Sequence, residues 1–549
     1  MFANFTTEIK KLSRAVKYLL FFSFLINILM LPMSVYSLQV LDRVLTSASL
    51  PTLVSLSVIT FLTFIFLAIF QMIRSFVLQE ISNEFNRNFS YELFQKAIVS
   101  SNVNCIQVMR DFGVVKNFIS SQSITYIFDI PFSIIYFAAI FFIHPINGFI
   151  VLGSAVLLIL LSISSELTLK KHVTNIEVSQ IALDQNLMSI SRNTDTINAM
   201  GMQNAITDYW HVRHDSLSDS VSSSNYLSNA INSITKSFRM FIQMVTMAIS
   251  AYLVIFHKMS AGGIIATSIL SGKALAPFDS LTSVWKSYIH VRESYNRLMY
   301  FIRSVDFSSD KMQLPPPTGA ISLEGISYGT SDKIILNNVS CEIAAGEVVG
   351  VIGPSGCGKT TLVRIILNLI AKHGGTVRYD AVDVNHLHKH NIGRFIGFLP
   401  QSIELFSGTI KQNIARMQAD APDEEILKAA EFTGNHEFIL SFPNGYNQDI
   451  GVNGSFLSFG QKQRIALARA FFGMPKIVVL DEPNSNMDRD GEIALEMSLR
   501  NAKLNGVTVL IVSHKPSLLV SSDKILILDG GRMVAFDDAK KILSSLHGK

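Results

Sequence analysis

Read along the chain, the hydrophobic positions change character near residue 310. Before it they form long blocks with few charges, and after it they come in short runs broken by Gly, Pro and charged residues. A hydrocarbon core of about 30 Å requires roughly 20 apolar residues in helix. Six stretches reach or approach that length: residues 18–40 (YLLFFSFLINILMLPMSVYSLQV), 52–73, 124–143, 146–165, 241–256, the shortest, and 262–285. Each is far beyond the roughly four to eight residues of a buried strand. Only His144 and Pro145 separate the third and fourth, which predicts a tight hairpin, and the sixth is less apolar, with Lys273 and Asp279 inside it. The long polar segments 74–123 and 166–240 keep helical character, Gln79 to Val99 for example, with little Gly or Pro. Spans two to five are therefore expected to continue as helices beyond the membrane toward a cytoplasmic partner domain.

Composition sharpens the division. The 549 residues are 49% hydrophobic and 16% charged, with a mean hydropathy of +0.35. The charged share is usually about 25%, so a disordered, collagen-like or wholly water-soluble chain is excluded. Seven of the 31 glycines lie in residues 1–310 and 24 after them. The expected layout is a membrane domain over 1–310, a stiff linker over 311–319 built on Leu314-Pro315-Pro316-Pro317-Thr318, and a second domain over 320–549. A net charge of +4 over this length argues against nucleic acid as a partner. The three cysteines, Cys105, Cys341 and Cys357, are scattered, so neither a disulfide framework nor a zinc site is expected.

The first span is too long for a signal-peptide core, lacks a small-residue cleavage site and is followed at once by a second, so it is expected to stay as an anchor in lipid. Lys10, Lys11, Arg14 and Lys17 precede it, and the two long polar loops are rich in Lys and Arg, whereas the short loops between hold only Arg43 and Lys258. The positive-inside rule then puts the N-terminus, both long loops and residues 286 onward in the cytoplasm. Asp129 and Lys273 are ionisable residues in apolar runs, which marks either a structural pair or snorkelling group, or a place on a transport path.

The candidate chemistry lies in the second region. Val348-Val349-Gly350-Val351-Ile352 reads as a buried strand and leads into Gly353-Pro354-Ser355-Gly356-Cys357-Gly358-Lys359-Thr360, with the helix-like Thr361 to Ile370 after it. This is the G-x-x-x-x-G-K-[ST] pattern in its confirming context of strand before and helix after. The glycines let backbone N–H groups and the helix N-terminus point at phosphates. Lys359 is then placed for the β and γ phosphates of a nucleotide and the Thr360 hydroxyl for Mg²⁺. A second buried run, Ile477-Val478-Val479-Leu480, ends in Asp481-Glu482. Asp481 suits the metal-holding acid of P-loop NTPases, and Glu482 is the nearest group to polarise the attacking water.

Leu457-Ser458-Phe459-Gly460-Gln461, 20 residues before Asp481, resembles the LSGGQ signature of ATP-binding cassette (ABC) ATPases. In the same order Gln401 matches the Q-loop, Ser485-Asn486-Met487-Asp488 the D-loop and His514 the switch histidine, and Tyr328 resembles the aromatic that stacks on adenine. The likeness narrows further. Gly397-Phe398-Leu399-Pro400-Gln401, Glu404 to Ile410 and Asn413-Ile414-Ala415 are similar to the GYLPQxxELFxGTIxxNIA stretch of type I secretion ATPases, and Asp481 to Asp488 to their DEPNSNLD. Leu38 to Leu45, Ala199-Met200-Gly201-Met202 and Ala274-Leu275-Ala276-Pro277 resemble their LQVYDRVL, AMGM and ALAP segments, so the resemblance, to the PrtD-like exporters of RTX proteases, covers nearly the whole chain.

That resemblance implies a six-helix, type 1 ABC exporter membrane domain followed by an α/β P-loop nucleotide-binding domain, in a bacterial inner membrane. It implies a homodimer binding ATP and Mg²⁺. Lys359, Thr360 and Thr361 with the rest of the P-loop, Tyr328 and Asp488 are the expected nucleotide contacts. Thr360, Gln401 and Asp481 are the expected Mg²⁺ ligands. Glu482, His514 and Gln401 are the expected catalytic groups, while Ser458, Gly460 and Gln461 would reach the ATP of the other copy. The expected partners are a periplasmic adaptor, a TolC-like outer-membrane channel and an exported, unfolded polypeptide. About 17 residues without cysteine precede the first span, so no leader-peptidase domain is expected there. Two positions depart from the family: Phe459 stands where the first signature glycine would be, and Val452-Asn453 lacks the acidic residue common upstream of it. They leave open a rival in which the ATPase regulates a complex without transport, beside an exporter of lipid or drug. An importer is disfavoured by fusion of spans and ATPase, and a soluble kinase or GTPase is excluded by the spans and signature.

Overall fold

The computed structural model describes residues 2–99, 105–304, 316–330, 333–387, 392–485 and 487–547. It divides into two compact units, Met1–Asp306 and Phe307–Lys549. Most of the Pro-rich linker lies outside the described residues; Pro316 to Ala320 run as coil into the second unit.

The first unit is all helix: α1 (Phe2–Leu29), α2 (Leu31–Gln39), a π-helical turn (Val40–Val44), α3 (Leu45–Ser47), α4 (Leu50–Val99), α5 (Cys105–Ile119), α6 (Gln122–Asp129), α7 (Ser133–Ile143), α8 (Pro145–Arg192), α9 (Thr194–Ala199), α10 (Gln203–Ile255) and α11 (Ala261–Ser304). Among the described residues, six helical stretches are long and apolar enough to cross a membrane: Val16–Ser47, Leu50–Val99, Gln122–Ile143, Pro145–Ser165, Gln203–Ile255 and Ala261–Ser304. At 1.5 Å per residue the 50-residue α4 is about 75 Å long, well over twice the hydrocarbon thickness. The helices α4, α8, α10 and α11 thus carry on as polar helix past their apolar portions. The third span does not. Ser121 is extended (ψ 156°), so α5 is a separate helix before α6, and Pro131 sits in a 3₁₀ turn, Ile130–Phe132, between α6 and α7.

Packing follows the apolar stripes. Tyr136 and Ile140 on α7, Val151 and Leu158 on α8, Ile242 on α10 and Ala274 and Leu275 on α11 form one buried cluster. Leu93 and Ala97 on α4, Val108 and Phe112 on α5, and Leu298 and Phe301 on α11 form another at the polar-helix end. Asp129 is paired: its Oδ1 accepts from Arg74 Nη1 at 2.8 Å and Asn27 Nδ2 at 3.2 Å. Lys273 is exposed. The middle of the LQVLDRVL segment, Val40–Val44, is the π-helical turn, and Asp42 Oδ1 accepts from Gly262 N at 2.6 Å, capping α11 from across the sequence.

The second unit is α/β. A four-stranded antiparallel sheet has the order β2-β1-β4-β5, built of β1 (Ile321–Gly329), β2 (Ile334–Ile343), β4 (Gly374–Tyr379) and β5 (Val382–Asp383). A six-stranded sheet has the order β10-β9-β3-β8-β7-β6, from β3 (Val348–Ile352), β6 (Ile396–Leu399), β7 (Ile477–Asp481), β8 (Thr508–Val512), β9 (Lys524–Asp529) and β10 (Arg532–Asp538). All its pairings are parallel except β9 with β10. Strands buried on both faces need apolar side chains along their length, which is why Val348–Ile352 and Ile477-Val478-Val479-Leu480 are continuous runs. Val349, Val351, Ile477 and Val479 face one core with α12 (Lys359–Ile366) and the antiparallel sheet; Val348, Val478 and Leu480 face the other with the helix Phe459–Phe471.

Candidate functional site

The site forms at the carboxyl ends of β3 and β7, on either side of β8, where ligands of open parallel sheets bind. Register sets it: Val351 pairs with Val512, and Val512 with Asp481, so the loops leaving β3 and β7 emerge together. The loop after β3 turns on glycines that nothing larger replaces. A Cβ on Gly353 would lie 2.1 Å from the Leu528 carbonyl oxygen, and Gly358 holds φ +104° with Leu336 Cδ2 2.8 Å from where its Cβ would be. Lys359 opens α12 and is buried, with Nζ donating to Gly353 O at 2.8 Å and Pro354 O at 3.0 Å. The ammonium is thus held against the loop by the loop's own carbonyls.

Thr360 Oγ1 lies 3.5 Å from Asp481 Oδ1. Burial pushes the Asp481 carboxyl above its ordinary value; the Thr360 hydrogen bond opposes this and the neighbouring Glu482 charge adds to it. One hydroxyl and one carboxylate are a partial donor set. They fit Mg²⁺, which takes one or two protein oxygens and completes its shell with phosphate and water, and they fit no metal bound by protein alone. Glu482, next in sequence, has left-handed backbone (φ 50°), with its N–H donating to Val512 O at 3.0 Å. Its Oε2 accepts from Gln401 Nε2 at 3.0 Å and its Oε1 lies 3.9 Å from His514 Nε2. Gln401 follows β6 and His514 follows β8, so three loops deliver one amide, one carboxylate and one imidazole to a point.

Ser513, before His514, donates to Asn484 Oδ1 at 3.1 Å, and Gln463 Nε2 donates to Pro483 O. These contacts tie the loop after Glu482 to the His514 loop and to the helix Phe459–Phe471. They were not foreseen, because ordinary Ser and Gln carry no pattern of their own. Ser458 caps that helix: its Oγ accepts from Gln461 N at 3.3 Å while Gln461 Oε1 accepts from Ser458 N at 2.9 Å. This capping box takes up the N–H groups of Ser458 and Gln461 and leaves those of Phe459 and Gly460 in the first turn, with Phe459 42% exposed beside the half-buried Gly460. Asp488 Oδ1 caps the helix Arg489–Leu504 through Gly491 N at 2.8 Å, and Asn486 lies outside the described residues. Among the described hydrogen bonds, none joins Ser458, Gly460, Gln461 or Asp488 to the Thr360–Asp481 group. Tyr328 pairs in register with Leu336, the residue against Gly358, which sets its ring one strand from the P-loop.

Residues 336–485 match the ABC transporter family and residues 16–276 the ABC transporter transmembrane region. The chain is 35% identical over 532 residues to the type I secretion system ATP-binding protein PrsD of Rhizobium meliloti (strain 1021), covering 95% of this chain and 91% of PrsD. The chain belongs to the type I secretion ABC transporters. It is 29% identical to the leukotoxin translocation ATP-binding protein LktB of Mannheimia haemolytica, and equally to that of Bibersteinia trehalosi, over 93% of this chain and 73% of each relative. The ATP-bound structure of a bacterial Atm1-family ABC exporter superposes with a TM-score of 0.81 over 97% of this chain and 96% of that one, at 22% identity, a likeness of fold. As an ABC transporter the chain binds and hydrolyses ATP. Pairwise contacts link Thr360 of the P-loop to Asp481, and Gln401 and His514 to Glu482, in this type I secretion transporter.

Proposed function

We propose that this chain drives export of an unfolded polypeptide by binding and hydrolysing ATP between two copies of itself. One observation carries the reading: the convergence of Gln401 and His514 on Glu482 beside the P-loop, in a chain sharing 35% identity with PrsD over nearly its full length. The triphosphate enters the cradle of residues 353–360, where Lys359 exchanges the Gly353 and Pro354 carbonyls for phosphate oxygens. Thr360 and Asp481, with Gln401 nearby, would hold Mg²⁺, which would supply charge neutralisation. Glu482 accepts a hydrogen bond from water and directs it at the γ-phosphorus; Gln401 and His514 orient the carboxylate and bind the phosphate as it leaves. The exposed first turn of the signature helix offers the Ser458 hydroxyl and the N–H groups of Phe459 and Gly460 to the γ-phosphate held by the second copy. ATP thus favours the closed pair and its products the open one, a differential affinity sufficient to switch the membrane helices between two states.

The positive-inside pattern supports placing the nucleotide unit in the cytoplasm and the spans in a bacterial inner membrane. There a periplasmic adaptor and an outer-membrane channel complete the route for an RTX-type substrate. The test is ATP hydrolysis and polypeptide translocation by the full chain in lipid, wild type against Glu482→Gln. Hydrolysis that disappears in the variant, together with translocation, supports the reading. A wild type that hydrolyses ATP at a rate no polypeptide alters, and moves none, turns it toward a regulatory ATPase.

A further inference from the structure

His373 lies against Tyr328. Their ring centroids are 5.3 Å apart with planes 24° from parallel, a stacked pair. Gly374 pairs with Ser327 across β1 and β4, so the residue before Gly374 falls opposite Tyr328 on the same face of the sheet. Two further bonds hold it there: His373 N donates to Ser327 O at 3.0 Å, and His373 Nδ1 accepts from Gly329 N at 3.3 Å. The imidazole is therefore fixed by the backbone on both sides of Tyr328, though its outer surface is exposed.

The direction of the stack decides what it does. On the other side of β1 runs β2, where Leu336 is opposite Tyr328, and Leu336 with Ile335 is what Gly358 of the P-loop touches. Across the sheet the strands run β2, β1, β4. His373, on the β4 side, thus covers the side of Tyr328 away from β2, the strand that the P-loop touches, and the phenol stays half-buried rather than enclosed.

We infer that His373 is a positioning residue for the nucleotide base: it backs Tyr328 so that the phenol presents one fixed face to the purine of a nucleotide whose phosphates occupy the P-loop. The inference rests on the ATP-binding reading given above. A phenol on a strand otherwise rotates about χ1 and χ2, and holding it in place beforehand removes an ordering cost that the nucleotide would meet on binding. The stacked pair also gives the base a wider, more polarisable platform.

The experiment is equilibrium binding by calorimetry to the full chain in lipid nanodiscs, with ATP and with inorganic tripolyphosphate, which engages the P-loop but has no base. The variants are His373→Ala, His373→Phe and Tyr328→Ala. His373→Ala is expected to weaken ATP binding roughly three- to tenfold and to leave tripolyphosphate binding unchanged, and His373→Phe is expected to restore ATP binding. ATP affinity unaltered in His373→Ala overturns the inference, and so does an equal loss toward both ligands, which marks a merely structural cross-strand pair. Tyr328→Ala separates the two levels. If it weakens ATP and His373→Ala does not, only the backing role fails; if it leaves ATP unchanged, base stacking at Tyr328 is itself wrong and the role of His373 falls with it.

Discussion

Gln401 Nε2 donates to Glu482 Oε2 at 3.0 Å, linking the end of β6 to the end of β7 across the site. The amide N–H donates and the carboxylate oxygen accepts, which keeps Glu482 aimed. Its left-handed backbone (φ 50°) costs about 1–3 kcal/mol for a non-glycine residue and is retained where geometry is fixed by its surroundings. Glu482→Gln is expected to lower ATP turnover by about a hundredfold or more while ATP binding persists. Gln401→Ala, which frees the carboxylate without removing it, is expected to cost about tenfold. Turnover measured by phosphate release checks both, and near-normal hydrolysis in Glu482→Gln would assign the water to another group.

Phe459 occupies the first position of the signature helix with its side chain in solvent, while the Ser458–Gln461 capping box closes without it. Replacing it with glycine leaves the cap intact and clears the exposed end of the helix. Phe459→Gly is expected to raise the hydrolysis rate about two- to fivefold, a change of no more than about 1 kcal/mol in the barrier. Loss of propensity at a helix terminus stays below about 1 kcal/mol, so the thermal midpoint should fall by only a few degrees. A rate that drops with unchanged stability would show that the ring contributes to closure of the site.

At the far end of the membrane unit, Asp42 caps α11 through Gly262 N, and Gly262 is there because a Cβ would come 2.5 Å from the Leu38 carbonyl oxygen. Gly262→Ala is expected to destabilise the helical unit by about 1–3 kcal/mol through overpacking, and Asp42→Ala by about 1 kcal/mol through the lost cap. The two share one contact, so the double variant should lose less than their sum. Thermal unfolding in detergent of the three variants tests this; strict additivity would mean that the cap and the close approach are independent.

The sequence declares what depends on local order. Spans follow from run length, and the P-loop, Asp481 and Glu482 from adjacent residues whose strand and helix context can be read directly. Contacts between distant segments leave no such trace. Nothing near Asp129 announces Arg74, 55 positions earlier in the chain, and the pair joins helices that fold together only in three dimensions. The break between α5 and α6 falls at Ser121, an extended N-cap serine, a local preference that is weak in sequence because Ser is also common inside helices. His373 carries no signal beyond preceding two glycines; its role depends on a register that pairs Ser327 with Gly374, 47 positions apart. Ser458, Gly460 and Asp488 are legible as motif residues, yet one chain alone puts them at helix starts and not at the phosphate cradle.

Where α5, α8 and α11 meet, Arg297 donates to Asp111 through Nε at 2.9 Å and Nη2 at 2.7 Å, and to Glu177 Oε2 through Nη1 at 2.9 Å, while His290 bonds the other Glu177 oxygen. Desolvation pushes the Glu177 carboxyl upward, but the hydrogen bonds and charges of His290 and Arg297 outweigh it, and the group is held below its ordinary value of 4.5. A carboxyl depressed in the folded state contributes stability that is complete above about pH 4.5 and is lost as pH falls through the folded value. The wild-type thermal midpoint is therefore expected to hold level from neutral pH down to that point and to drop below it. Glu177→Gln keeps the shape, removes the charge and leaves Arg297 its Asp111 partner, so the variant should start a few degrees lower and show a shallower acid slope. Because the cluster ties three helices, its loss should also speed proteolysis in the segment 166–240 at neutral pH. Parallel acid profiles for wild type and variant would show that other carboxylates, and not Glu177, set the acid limit of this unit.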